Sequence, residues 1–426
     1  MANFPRLLLL ARVLLPSVHA VPTPALPSVA KHDNALEGKY IITLKPNLDA
    51  PSTKSHMTWV SDLHARSITK RDTIGIEKTY AIGGWKAYAG EFDDATIVEI
   101  KASPEVASVE ADTLIPAPKL LNEREASFLV ASHKRDLVTQ ANAEWGLAAI
   151  SHRTKTSTDY VYDPIAGQGT YAYVVDDSIR TTHSEFEGRA VFGYNAVSKN
   201  NTANSNHGSF AAGIIGGKFA GVAKKINLVS VKVFDEAQAS PQSVILDGYN
   251  WAVNDIVSKG RANKAVINMS LGGDGGPGSG VDPAYLGAIN AAYSKGILTT
   301  IAAMNDAVPV SQVSPANVPN ALTVAASDQT FKTAWFTNYG AGIDFFAPGV
   351  SIRGAGAFDD SGTVYGDGTS ASAPFVAGVA MYLQSTLNFK TPAELVTKMK
   401  ALCTTRVRGD LRGSPNCFLN NGNGVA

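Results

Sequence analysis

The 426-residue sequence predicts an α/β protein: a doubly wound, mostly parallel sheet preceded by a small α+β domain. Three observations carry that prediction. From Tyr171 onward, short β-rich runs alternate with amphipathic helical stretches, the pattern of a parallel sheet covered on both faces. Upstream, about Gly38 to Leu114 carries strand and helix runs of its own, set off by a polar stretch. Glycine is abundant at 38 residues, which favours tight turns and close backbone approaches over long helical bundles. With 45% hydrophobic and 17% charged residues, the chain can bury a large core and does not have a disordered composition.

The elements follow in order. Arg6, the apolar run Leu7 to Leu15, interrupted by Arg12, and the small-residue site Val18-His19-Ala20 read as a signal peptide over residues 1–20, which implies secretion, against the alternative of an ordinary frayed N-terminus. That run is too short to span a bilayer, and no later segment reaches about 18 uninterrupted apolar residues. In the unit 38–114, Tyr40 to Leu44 is strand-like and Met57 to Ile68 helical. Trp85 to Phe92 is extended, Asp94 to Lys101 helical and Val106 to Val109 extended again. The order β-α-β-β-α-β suggests a ferredoxin-like domain. Residues 115–137 read as a linker, and its Lys134-Arg135 pair suits a processing protease as readily as it suits an ordinary polar connection.

The domain at 138–426 begins its alternation with Tyr171 to Val175 and Leu228 to Phe234, both β-rich. Val244 to Ser258 places Ile245, Tyr249, Ala252 and Ile256 on one helical face, and Gly260 closes it. Ala265 to Met269 is extended, Pro283 to Ser294 helical, and Ile297 to Ala303 and Ala321 to Ala325 are extended. Thr391-Pro392-Ala393-Glu394 has the cap, first-position proline and third-position acid of a helix start.

Composition excludes several functions. Lys plus Arg and Asp plus Glu both count 37, so no global field recruits nucleic acid or an anionic membrane. Two cysteines allow neither a disulfide scaffold nor a Cys-built metal cluster; in a secreted chain, Cys403 and Cys417 could pair and close a C-terminal loop. Asn200-Asn201-Thr202 would then be a glycosylation acceptor in a polar loop, whereas the sequon at Asn268 lies in an expected buried strand.

Reactive groups gather at the carboxyl ends of parallel strands. The strand YAYVV runs into Asp176-Asp177, where a carboxylate can orient an imidazole. His207 precedes a run of small residues, and Ser370 lies where glycines lead into an apolar helix, among N–H groups that can bind an oxyanion. Asn305 ends the strand TTIAAMN and offers a further oxyanion donor. Singly, each has an ordinary reading as a turn residue, a core histidine or a helix cap. Together, in the order acid, imidazole, hydroxyl, they are the parts of an activated nucleophile.

Residues from about Val138 to the C-terminus resemble a fungal secreted subtilisin-like serine protease of the proteinase K and oryzin group. The matching stretches include WGLAAISHR, YAYVVD, VKVF, INMSLGG, SPANVPNALTVAASD, NYGAGIDFFAPG and GTSASAP, while YIITLK and AYAGEFDDATIVEIKASPEVASVEAD resemble that family's inhibitory propeptide. The resemblance implies Asp176, His207 and Ser370 as the triad, Asn305 as oxyanion donor, and Ser270, Leu271, Gly272, Ala303 and Met304 as substrate-binding residues. It implies a protein or peptide substrate, the chain's own propeptide as inhibitor, a monomer and no cofactor for the chemistry. It also implies a structural calcium held by the carbonyls of Pro319 and Ala321 and the Asp344 carboxylate, against the ordinary alternative of a turn and a solvated acid. Cleavage is expected between about Arg135 and Gln140.

The departures from the family's motifs surround the site. Asp176-Asp177-Ser178 stands for Asp-Ser/Thr-Gly, His207-Gly208-Ser209-Phe210 for His-Gly-Thr-His, and Ala302-Ala303-Met304-Asn305 for Ala-Ala-Gly-Asn. Ser370-Ala371-Ser372-Ala373-Pro374 replaces Ser-Met-Ala-Thr-Pro, and side chains from Glu236 to Pro241 replace a glycine-rich segment beside the substrate strand. Met304 is expected to fill part of the primary specificity pocket. Altered specificity, a small non-peptide substrate, and a non-catalytic peptide binder all stay open at this point.

Overall fold

The computed structural model describes residues 34–423, apart from 47, 68–72, 127–136, 155–156, 199, 204, 236–237 and 275–279. The expected signal peptide at 1–20 and the pair Lys134-Arg135 lie outside the described residues.

The N-terminal unit runs β1 (Ala35–Leu44), α1 (Ala50–Arg66), β2 (Gly75–Ile82), β3 (Trp85–Glu91), α2 (Asp94–Ala102) and β4 (Val106–Ile115). Its strands pair antiparallel in the order β4-β1-β3-β2, the ferredoxin-like arrangement expected. Three boundaries differ from expectation. Helix α1 starts at Ala50, because the Asp49 carboxylate accepts the Ser52 N–H at 2.7 Å and Pro51 fits the first turn. Strand β2 is an edge strand whose alternation, GIEKTYAI, is interrupted by charge. The linker expected at 115–137 holds β5 (Leu121–Ala126), a strand too polar to announce itself because its partner lies in the larger domain.

Next come β6 (Val138–Gln140), α3 (Trp145–Ser151) and β7 (Tyr160–Tyr162), a short ribbon with a helix between its strands. The core follows as β8 (Tyr171–Asp176), β9 (Ala190–Asn195), α4 (His207–Gly216), β10 (Asn227–Lys232), β11 (Ser240–Pro241) and α5 (Gln242–Ser258). Then come β12 (Ala265–Met269), β13 (Gly273–Asp274), α6 (Pro283–Ser294), β14 (Leu298–Ala302), β15 (Val313–Ser314), β16 (Leu322–Ser327) and β17 (Phe345–Pro348). The chain closes with β18 (Ile352–Ala355), β19 (Thr363–Asp367), α7 (Thr369–Leu387) and α8 (Pro392–Leu402).

Among the described residues, one seven-stranded sheet of order β17-β16-β14-β12-β8-β10-β9 carries this domain, with every pair parallel. Its central strands are apolar without alternation: β12, β14 and β16 are buried at every residue, as a sheet covered on both faces requires. Helix α7 is buried from Thr369 to Gln384, and a side chain at Gly378 would strike Val222 at 2.7 Å. Helices α5 and α6 lie on the side where the N-terminal sheet docks: Tyr80 donates to the Ser243 carbonyl at 2.9 Å, and Lys78 pairs with Asp247 at 3.0 Å. Cys403 and Cys417 form a disulfide with Cα atoms 5.1 Å apart, inside the normal range for the bond.

Candidate active site

Three element ends supply the expected residues, on elements that pack together: α4 lies against both β8 and α7. Strand β8 lies between β10 and β12 and ends at Asp176. Helix α4 begins at His207, and its small residues allow close packing: a side chain at Gly213 would strike the backbone of Ala355. His207 Nδ1 lies 2.9 Å from both Asp176 oxygens, so its N–H is shared by the carboxylate, and both residues are buried. The opposite nitrogen, Nε2, is buried with no hydrogen-bond partner among the described residues.

Ser370 is the second residue of α7, behind Gly368 at φ 144°. Its hydroxyl points at the Ser270 carbonyl, 3.4 Å away, rather than at His207. In return the Ser270 hydroxyl donates to the Ser370 carbonyl at 3.1 Å, tying the wall Ser270-Leu271-Gly272 to the helix start. Asn305 Oδ1 accepts the Thr369 N–H at 2.9 Å and the Thr369 hydroxyl at 3.0 Å. With the Asn305 oxygen engaged, its Nδ2 and the Ser370 backbone nitrogen lie 3.5 and 3.6 Å from where a Gly368 side chain would start, so the two nitrogens border one point beside Gly368.

Met304 has φ 72°, a left-handed conformation that favours glycine. Its Cγ and Sδ lie 3.3 Å from the position a Gly272 side chain would take, so the methionine reaches across from the Ala303 side to the opposite wall. Ser178 also has positive φ, at 121°, and its hydroxyl bonds the Ser230 hydroxyl and the Asn201 carbonyl at 3.2 Å.

Asp177 is buried as well. Its Oδ1 accepts the Gly208 N–H at 2.7 Å and its Oδ2 takes the Ser205 hydroxyl. Burial and the charge of Asp176 push the Asp177 carboxyl up to about 7, against the pull of His207 and the Ser205 and Gly208 donors. At His207 burial disfavours the imidazolium, but the charge and hydrogen bond of Asp176, helped by Asp177 and Glu123, hold the pKa above its ordinary value.

The upstream chain covers this site. Ile115 pairs with Ser240, and its Cδ1 lies 3.1 Å from where a Gly273 side chain would start. Ser240 and Pro241, in the segment that departs from the family's glycine-rich pattern, form β11, an added edge for β4. Leu120 packs on Gly366, and β5 pairs antiparallel with β19, which ends three residues before Ser370. Residues 116–120 therefore pass from one wall of the cleft to the other, and His207 and Ser370 are only 2% and 3% exposed. On the far side Asn122 donates to Asp367 at 2.5 Å, and Glu123 takes the Asn206 amide.

At the expected calcium ligands, Asp344 Oδ1 pairs with the half-exposed Lys400 side chain at 2.9 Å and Oδ2 accepts the Thr323 N–H at 3.0 Å, so an ammonium faces the carboxylate. Asn200 is exposed, and its Oδ1 accepts the Thr202 hydroxyl at 2.7 Å, while Asn268 is fully buried. Four residues escaped the sequence reading: Thr369, Ser205, Asn206 and Glu123. Thr369, adjacent to Ser370, was legible; the others act across 28 to 83 residues of chain.

Comparison with known proteins shows the family. Residues 167–424 match the subtilase family (peptidase S8) and residues 39–117 the peptidase inhibitor I9 family. The chain is 46% identical to an alkaline proteinase of Hapsidospora chrysogena over 95% of this chain and 97% of that one. It is 44% identical to alkaline protease 1 of Aspergillus clavatus over 99% and 100% of the two chains. A cold-adapted subtilisin-like serine proteinase of known structure superposes with a TM-score of 0.61 at 32% identity, covering 66% of this chain and 99% of its own. The chain is therefore a subtilisin-like serine endopeptidase, a member of the subtilase family that carries an I9 inhibitor domain ahead of its peptidase domain.

Proposed function

We propose that this endopeptidase is secreted as a zymogen and cleaves proteins through Asp176, His207 and Ser370, with a narrowed primary specificity pocket. The observation that carries the catalytic assignment is the buried contact of His207 Nδ1 with both oxygens of Asp176, at 2.9 Å. It fixes the tautomer in which Nε2 is free to accept a proton. The Ser370 hydroxyl turns from the Ser270 carbonyl to Nε2 and gives up its proton as Oγ bonds to the substrate carbonyl carbon. The resulting oxyanion takes hydrogen bonds from Asn305 Nδ2 and the Ser370 N–H. His207 then returns the proton to the leaving amine as the C–N bond breaks, and water repeats the sequence to free the acyl group.

The narrowed pocket rests on Met304, whose Cγ and Sδ lie 3.3 Å from where a Gly272 side chain would start. The zymogen reading rests on the crossing of residues 116–120 over a site that is nearly closed to solvent. Secretion is supported by the residue 1–20 pattern, the Cys403–Cys417 disulfide and the exposed sequon at Asn200, the proposed glycosylation site.

Casein hydrolysis by the secreted, processed wild type beside Ser370→Ala tests the assignment. A loss of at least about 10³-fold in kcat, with processing arrested, is expected. Equal activity in the two proteins would overturn it.

A further inference from the structure

We infer that Asp177 is a positioning residue of the triad: its carboxylate grips the backbone that follows His207 while the adjacent Asp176 grips the imidazole. The inference rests on the catalytic reading above and concerns a residue that the triad itself does not use.

The geometry is specific. His207 is the first residue of α4, where the first N–H groups have no partner within the helix. Asn206, at the cap position, gives no cap bond; its Oδ1 accepts the Ala357 N–H at 2.6 Å. Asp177 supplies the missing acceptor from another element, taking the Gly208 N–H at 2.7 Å. The same carboxylate holds the Ser205 hydroxyl on the approach to the helix. Adjacent carboxylates at the end of β8 thus hold the side chain and the following peptide of one histidine, and the negative charge sits where the helix dipole favours it. Positive φ at Ser178 turns the chain directly after the pair.

The arrangement also affects protonation. The charged groups that face His207 are Asp176 and Asp177 at the end of β8 and Glu123 on β5, and Asp177 itself faces Asp176, His207 and the neutral Ser205. Glu123 departs with the upstream chain on processing. Asp177 and His207 then remain coupled, and their protons leave in two macroscopic steps rather than one.

Processed enzyme is used for the test, with kcat and KM followed from pH 5 to 10 on a peptide amide. Asp177→Asn keeps an acceptor for Gly208 and removes the charge. It should hold its alkaline kcat within about 3-fold while the acidic midpoint falls by about one pH unit and the limb becomes a single titration. Asp177→Ala removes the grip, and kcat should fall about 10-fold or more at every pH with KM little changed. Should neither variant mature, the wild type still decides: the acidic limb of its fluorophosphonate-labelling rate should need two titrations, from the facing pair Asp177 and His207, rather than one. A wild-type limb that fits a single titration, an unmoved midpoint in Asp177→Asn, or an unchanged kcat in Asp177→Ala would overturn the proposal. Loss of all activity in Ser370→Ala together with unmoved Asp177 variants would sink this inference and leave the catalytic assignment standing.

Discussion

Met304 joins a backbone cost to the proposed narrowing of the pocket. It holds a φ of 72°, which costs a non-glycine residue about 1 kcal/mol, and its thioether lies against the Gly272 wall. Replacing it with glycine opens the pocket and relaxes the backbone together. Met304→Gly should therefore raise kcat/KM for peptides with Phe at P1 over those with Ala by about 10-fold or more, read from a P1 substrate series. An unchanged ratio would remove Met304 from the pocket. The residue-level reading of the sequence was strongest where an element end and a chemical group coincide, as at Asp176, His207 and Ser370. It could not reveal that Asp177 points to Gly208, because that direction depends on the turn at Ser178. Nor could it reveal Glu123, whose partner Asn206 is brought near only by the pairing of β5 with β19.

At the scale of elements, the parallel strands were legible because burial on both faces makes them continuous apolar runs, as in β12 and β14. Helices α6 and α8 were legible from proline in the first turn; in α8 the Thr391 hydroxyl accepts the Glu394 N–H at 3.2 Å. Strand β5 was not, since LNEREA has no apolar face and is held by neighbours from the larger domain: Asn122 by Asp367, and Arg124 by the Tyr365 ring at 4.7 Å. The contact between α8 and the turn before β17 carries its own prediction. Lys400 stands at Asp344 where the family resemblance implied calcium, and its ammonium is half exposed, so the pair is worth no more than about 1 kcal/mol. A chelator should leave the Tm of the processed enzyme within about 1 °C, by differential scanning fluorimetry. A chelator-induced fall that Asp344→Asn abolishes would restore the metal to this site.

Across the whole molecule, the N-terminal domain is joined to the peptidase through one buried and one half-buried acid. Asp112 accepts the Ser243 N–H at 3.1 Å and its hydroxyl at 2.6 Å at the start of α5, and Glu110 accepts the Ala284 N–H at 3.1 Å at the start of α6. Burial first, and the Asp282 charge second, push the Glu110 carboxyl well above its ordinary value; burial raises Asp112 and Asp282 as well. Acids whose pKa is raised in the complex bind more protons there than when apart. The complex is therefore most stable below about pH 4, where the separated acids are also protonated, and weakens as pH rises through the raised values. Release of the cleaved N-terminal domain, followed by size exclusion, should be faster at pH 8 than at pH 5, and Glu110→Gln should flatten that dependence; faster release at pH 5 would reverse the sign. Catalysis as proposed requires a nucleophile at the start of α7, and peptide mapping by mass spectrometry of the processed enzyme after reaction with a fluorophosphonate locates it. One adduct is expected, on Ser370, absent from His207→Ala; an adduct on another serine, or none on the active wild type, would rule out Ser370 as the nucleophile.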